Sequence, residues 1–456
     1  MKWKRLIAPV DLTRGSVPRT MLAFALPMVM GNMFQQVYNL ADTLVVGYFL
    51  GVGALAAVGA AYTLLIFLNS IQLGLCMGSG VVFSIHYGAR DGARLMQSRF
   101  ISFAFTATVT LLMNVAVYVW TDPLMRILQV PADIYADMRL YLHTVFGGLF
   151  FTFLYNYYAS LLRAVGNSSI PLLFLVASVA LNIVLDILFV ACLGWGIAGA
   201  AWATVVSQAA AALGLLPYAY ARGTGLKVVW KHCTLSRPAL AEILQFSSLT
   251  CLQQSVMNLG ILAVQGLVNS FGTIVMAAFT VAVKIDTLAY MPAQDFGNAF
   301  STFIAQNFGA GARKRIRAGI RAGIAMTLAF CALVSVLVYI LAPYLMRCFV
   351  EAEQEELIAV GVRYLRIEGA FYIGIGCLFL LYGYYRAIRR PGMSVALTVI
   401  SLGTRVALAY ILAAIPSIGV DGIWWAIPIG WFLADLTGLL FLRRYAPARI
   451  ELHGKA

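Results

Sequence analysis

Charge is what this sequence lacks most. Of its 456 residues, 11% are Asp, Glu, Lys or Arg, and 62% are hydrophobic. A soluble domain carries about 25% charged and about 45–50% apolar residues. The deficit excludes an ordinary soluble domain. Apolar stretches of the ~20 residues that cross a bilayer recur from end to end. Cysteine and histidine are also scarce, seven and four residues. They show neither a Cys-x-x-Cys pair nor metal-like spacing, so the cysteines read as small apolar filler. A Gly-x-x-x-x-Gly-Lys-Ser/Thr loop is missing, which excludes P-loop ATP hydrolysis. His-x-x-x-Asp and His-Glu-x-x-His patterns are missing too. His86, His143 and His232 fall at or near predicted span ends, which leaves a membrane-embedded enzyme without a catalytic constellation.

What is present is a chain of spans. The hydropathy pattern predicts an all-α polytopic membrane protein with twelve transmembrane helices, at 20–48, 53–83, 100–120, 140–162, 171–192, 196–220, 242–270, 274–305, 319–341, 363–387, 393–415 and 421–443. The basic segment "MKWKRLIAPVDLTRGSVPRT" precedes a run too long for a signal-peptide core, so a retained first span is expected. Of 32 Lys and Arg, 25 fall in the tails, the even-to-odd loops or the span ends beside them, five on the opposite side or the span ends beside it, and two, Lys284 and Arg405, deeper inside spans. By the positive-inside rule both termini are cytoplasmic. The opposite side is acidic at "VEAEQEE", Val350 to Glu356, and Trp120, Trp195, Trp424 and Trp425 sit at predicted outer ends as an aromatic belt. The net charge of +14 is therefore topological, and no nucleic-acid partner is implied.

The chain repeats itself. An offset of 221 superposes Gly51 on Gly272, Ala56-Ala57 on Ala277-Ala278 and Gly88-Ala89 on Gly309-Ala310. An offset of 223 superposes Tyr141-Leu142 on Tyr364-Leu365, Arg163-Ala164 on Arg386-Ala387 and Ser178 on Ser401. The same offset carries Gly196, Gly199, Trp202 and Ala203 onto Gly419, Gly422, Trp425 and Ala426. Each half holds six spans, an even number, so the halves form a parallel repeat: two six-helix bundles related by a pseudo-two-fold along the membrane normal. The expected organisation is a cytoplasmic N-terminal segment 1–19, an N-lobe 20–220, a basic cytoplasmic linker 221–240, a C-lobe 241–445 and a cytoplasmic tail 446–456.

Against this background a few polar residues stand out. Intramembrane charges cost about 2.5–3.5 kcal/mol each on insertion scales and usually mark an ion or substrate path. Asp42, in "MFQQVYNLADTLVVGYFLG", and Asp186, in "SVALNIVLDILFV", each lie six residues from the outer end of a span. Asn182 is one turn deeper on the face of Asp186, and Thr204 lies eight residues into span six. No Lys or Arg shares their depth in the first six spans. Two acids without a base call for a cation or a proton, and a small hard cation takes oxygen ligands of this kind. The repeat offsets send the four residues to Ala263, Ala409, Arg405 and Ile427, so the cluster belongs to one lobe only. Asn32, Gln35, Asn39 and Asp42 form a helical stripe, and Gln254, Asn258, Gln265 and Asn269 repeat it in span seven. Such stripes face water or protein rather than lipid, and two of them favour a polar central cavity. Lys284, Asp286, Asp295, Arg405 and Asp435 carry both signs and read as a structural ion-pair network. Glu368 reads as solvated, near an outer end. Pro27 and Pro292 predict kinks or broken helices within their spans.

With these residues in hand, the chain resembles the multidrug and toxic compound extrusion (MATE) family over essentially its whole length. "LPMVMGNMFQQVYNLADTLVVGYFLG" is similar to that family's first span, with a bending proline at Pro27 and an essential aspartate at Asp42. "HYGARDGAR" and "QNFGAGARKR" are similar to its paired loops after spans two and eight, and "LLRAVGN" to the loop after span four. The resemblance to the archaeal and DinF-like branch implies a coupling-ion site at Asp42, Asn182, Asp186 and Thr204, a Na⁺ candidate. The alternative family site, a span-seven glutamate with a span-ten aspartate, lacks both residues here. The resemblance further implies a V-shaped monomer of the bacterial or archaeal inner membrane, without cofactor. It would export amphipathic, often cationic small molecules in exchange for Na⁺ or H⁺ by alternating access. The rival expectation is a flippase or exporter of a lipid-linked or polysaccharide precursor from the same superfamily. Such a protein would line its cavity with basic residues, which the first six spans do not supply.

Overall fold

The computed structural model describes residues 9–127, 130–221, 233–350 and 353–444. His232, most of the predicted linker and the predicted C-terminal tail lie outside the described residues. In chain order the helices are α1 (Val17–Gly88), α2 (Gly92–Ile127), α3 (Ala132–Gly147), α4 (Leu149–Ala164), α5 (Ser169–Asp186), α6 (Gly196–Ala221), α7 (Arg237–Asn269), α8 (Thr273–Gly309), α9 (Arg313–Arg347), α10 (Glu355–Gly369), α11 (Tyr372–Ala387), α12 (Pro391–Ala413) and α13 (Asp421–Arg444). Among the described residues there is no strand. Among the described residues, nine helical segments are long and apolar enough to cross a membrane, or eleven when α3–α4 and α10–α11 each count as one bent span. The polar-striped part of α1 ahead of Gly51 completes the twelve-helix pattern. In a bilayer this is one of the two ways to satisfy every backbone group internally.

Breaks fall at the same repeat positions in both halves. Gly51, with φ +83°, bends α1 into two spans, and Gly272, with φ +99°, separates α7 from α8. The left-handed backbone recurs at Arg90 and Gly311, Gly166 and Arg389, and Gly196 and Gly419. Each of these pairs is separated by 221 or 223 residues, as the sequence matches are. The predicted spans four and ten are each broken, by 44° between α3 and α4 and by 51° between α10 and α11. Neither break contains a proline. Pro27 and Pro292 instead lie inside α1 and α8, whose helices run through them. Of the kinks or broken helices expected at these prolines, the breaks do not occur: helical backbone continues across each ring.

Compactness divides the chain into two units. One comprises Met1–Asp11, Leu26–Tyr87 and Asp91–Cys251; the other comprises Leu12–Ala25, Gly88–Arg90 and Leu252–Ala456. The first turns of α1 thus fold with the second unit, and α7 up to Cys251 with the first. In the first unit, Gly74 and Gly78 let α1 meet the backbone of α7 at Cys251 and at Phe246–Ser247, where a Cβ would overlap main-chain atoms. Such small-xxx-small approaches drive helix packing where lipid removes the hydrophobic drive. Ser79 and Ser247 hydroxyls meet at 2.8 Å in the same seam. In the second unit, Gly297 and Gly383 bring α8 and α11 equally close. There Arg315 donates to the Leu12, Arg14 and Gly15 carbonyls at 3.0, 3.1 and 2.7 Å, fixing the segment ahead of α1.

Two further expectations are corrected. Trp424 is not a belt residue: it is buried, stacked on Phe279 and set edge-on to Tyr364. Trp120, Trp195 and Trp425 are exposed as expected. Glu368 is 1% exposed rather than solvated, because the bend after α10 turns its side chain into the second unit.

Candidate functional site

The site builds from three helices of the first unit. Ser178, Asn182 and Asp186 lie at successive i, i+4 positions of α5, and all three are buried. Immediately after Asp186 the helix widens into a π-helical turn, Ile187–Cys192. Turns of this kind are rare and concentrate at functional sites. The Ser178 hydroxyl donates to the Ser207 carbonyl on α6 at 2.8 Å, and Ser207 donates to the Thr204 carbonyl at 2.9 Å. This seam holds α5 against α6 with Thr204 facing inward. From α1, the Tyr38 and Thr204 hydroxyls meet at 3.2 Å. Tyr38 stands one helical turn before Asp42, so the contact brings the acid of α1 toward Thr204 of α6 and the acid of α5.

The electrostatics single out this place. Asp42 is 8% exposed, and Asn182 and Asp186 are 0% exposed. Asp42 and Asp186 are close enough to feel each other's charge, and Tyr38 and Tyr141 feel both. Asp42 Oδ1, both carboxylate oxygens of Asp186 and both amide atoms of Asn182 are buried without a protein hydrogen-bond partner. Buried polar groups are ordinarily paired, and each orphan costs about 1–3 kcal/mol. Five such atoms on three predicted residues form an oxygen-rich locus suited to a small hard cation or a proton.

Around this locus the stripe residues Asn32, Gln35 and Asn39 are half-buried. Asn39 donates to Gln36 Oε1 at 3.1 Å and to Tyr62 Oη at 3.2 Å. In the second unit Gln254 is buried, while Asn258 and Gln265 are half-buried, with Gln265 donating to Asn269 at 2.9 Å. Sequence reasoning missed Tyr38, Tyr141, Tyr62 and the Ser178–Ser207 seam. Tyr38 had a usable signal, its i, i+4 spacing to Asp42. Tyr141 and Tyr62 had none, since an aromatic in an apolar span looks like core.

Buried acids in a bundle of membrane-crossing helices mark an ion or substrate path, as a transporter needs. Comparison with known proteins narrows this. The MatE family model matches residues 27–188 and again 250–411, once in each repeat. The chain belongs to the MATE family, a family of transporters rather than enzymes. It is 31% identical to the probable multidrug resistance protein YpnP of Bacillus subtilis, over 95% of this chain and 96% of that one. It is 22% identical to the multidrug export protein MepA of Staphylococcus aureus, over 94% of each. Its fold is similar to the outward-facing structure of a multidrug resistance MATE transporter of the MOP superfamily. The TM-score is 0.90, with 24% identity over 96% of this chain and 98% of that one.

Proposed function

We propose that this protein is a secondary active multidrug efflux antiporter of the cell (inner) membrane, with both termini cytoplasmic. It exports amphipathic, often cationic small molecules in exchange for Na⁺ or H⁺. The observation that carries the reading is the set of five unpartnered polar atoms on Asp42, Asn182 and Asp186. Binding an ion there satisfies the orphaned oxygens and removes the repulsion between the two acids. Release to the other side restores both costs. The site therefore stores the difference on which alternating access depends. Each charge carried down the membrane potential adds about 2.3 kcal/mol per 100 mV. Tyr38 and Thr204 orient α1 against α6 at the site, and Pro27 lets α1 bend as occupancy changes. In the first unit the half-buried amides Asn32, Gln35 and Asn39 serve the path of the exported compound, and in the second unit Gln254, Asn258 and Gln265 do the same. The multidrug names of the relatives support this substrate class, and the lack of intramembrane Lys or Arg in the first six spans speaks against a phosphate-bearing lipid precursor.

The test is efflux of a fluorescent organic cation from proteoliposomes under an imposed Na⁺ or H⁺ gradient. Asp42→Asn and Asp186→Asn should each lower gradient-driven transport by ~5–150-fold, the usual range of a coupling free energy. Transport at the wild-type rate in both variants would sink the assignment, and the gradient that drives the wild type identifies the ion.

A further inference from the structure

The second unit buries acids of its own. Asp286 on α8 and Glu368 near the end of α10 are both buried, and Tyr372 Oη donates to Asp286 Oδ1 at 2.7 Å. Glu368 lies against Asp286 and Tyr364, yet its Oε1 has no protein hydrogen-bond partner. Arg405 of α12 is the cation facing both acids, and Tyr290 of α8 faces the same three groups. Lys284, expected in a network with them, is exposed. Two carboxylates against one guanidinium leave one negative charge in excess. At membrane depth an uncompensated charge is costly. A single proton removes the excess and also turns one carboxyl into the donor that the orphaned oxygen lacks.

The location is as telling as the charge. Glu368 stands one residue before the end of α10, and its carbonyl accepts the Phe371 N–H at 2.9 Å across the 51° bend. Tyr372 is the first residue of α11. The two sides of the hinge therefore meet at Asp286. The matching hinge of the first unit, at offset 223, runs from Val145 to Leu149, and both residues are buried in an apolar cluster. A bent span in this fold does not need acids, so those at the second hinge call for another role.

We propose that Asp286 and Glu368 form a second, exchangeable proton-binding site in the hinge of the second unit's broken span. One proton is held between the two carboxyls, and Arg405 balances the remaining charge. The proton comes from water and returns to it. While bound, it joins α8 to α10 by a hydrogen bond; once it is lost, two neighbouring carboxylates repel across the hinge. The site uses residues of spans eight, ten and eleven and stands apart from the coupling site of the first unit.

The test is infrared pH-difference spectroscopy on the purified full-length protein, run in an Asp42→Asn/Asp186→Asn background so that the first-unit site is silent. A protonated-carboxyl C=O stretch should disappear as pH rises, and Glu368→Gln and Asp286→Asn should each remove that difference signal. Tyr372→Phe keeps both acids but takes a donor from the ionised form, so the pH at which the signal vanishes should move up. Equal difference spectra with and without Glu368→Gln, or an unmoved midpoint in Tyr372→Phe, would overturn the proposal. Neither outcome bears on transport driven through Asp42 and Asp186.

Discussion

The two repeats share a backbone and differ in where they hide charge. Left-handed residues recur at matching positions, and both halves break their fourth span. Yet the first unit sets its acids on α1 and α5 and packs its hinge with Val145, Phe146 and Leu149, while the second sets Glu368 at its hinge and places Arg405 where the first has Asn182. The difference teaches that the fold is held by backbone punctuation and close helix approaches, which both halves need. Buried charge is free to move between equivalent places, and its position marks chemistry rather than architecture.

The largest effect should come from copying the chemistry of one hinge into the other. Val145→Glu puts a carboxylate at the counterpart of Glu368, inside an apolar cluster where Tyr141 matches Tyr364 but Leu149 and Asn182 stand where the second repeat has Tyr372 and Arg405. A buried charge without its partner costs about 3–5 kcal/mol. Thermal unfolding followed by tryptophan fluorescence should show a markedly lowered midpoint, or no folded protein at all. A midpoint within a degree or two of wild type would mean that the two hinges are more alike than their side chains indicate.

A smaller effect tests the close approach peculiar to the first unit. Gly74 and Gly78 correspond, at offset 221, to Asp295 and Ala299. Gly78→Ala therefore installs the residue that the second repeat already carries. In the first unit the added methyl meets the main chain of Phe246 and Ser247, and overpacking of this kind costs about 1–3 kcal/mol. Gly403→Ala, inside α12 where nothing lies within 4 Å, should hold or raise stability, by up to about 1 kcal/mol. Equal midpoints for the two variants would break the argument that α1 and α7 are held by contact at these glycines.

Much of this comparison was legible in the sequence, for physical reasons. Spans and repeat are written in composition and spacing, and Asp42 and Asp186, where orphaned atoms fall with Asn182, were visible because carboxylates are conspicuous among apolar neighbours. What stayed hidden depended on tertiary direction. Glu368 looked solvated because its distance from a span end says nothing about a bend that turns it inward. Trp424 and Trp425 are adjacent, so on a helix they point about 100° apart, one to the core and one out. The assignment of residues 12–25 to the second unit is set by Arg315, some 300 residues away.

The smallest effects concern the left-handed pairs, and here the sign matters more than the size. A non-glycine residue in this region costs about 1–2 kcal/mol. Arg90, exposed at φ 57°, corresponds to Gly311, so Arg90→Gly removes that strain. Glycine's extra freedom in the unfolded chain takes back roughly 0.5–1 kcal/mol, leaving a gain of about 0–1.5 kcal/mol. Gly166, the counterpart of Arg389, has φ 87° and a Val10 carbonyl where a Cβ would lie, and its own carbonyl accepts the Val10 N–H at 2.9 Å. Gly166→Ala should therefore lower the unfolding midpoint as Arg90→Gly raises or holds it. Both variants moving the same way would show that the paired positions respond to their loops' other contacts and not to backbone handedness.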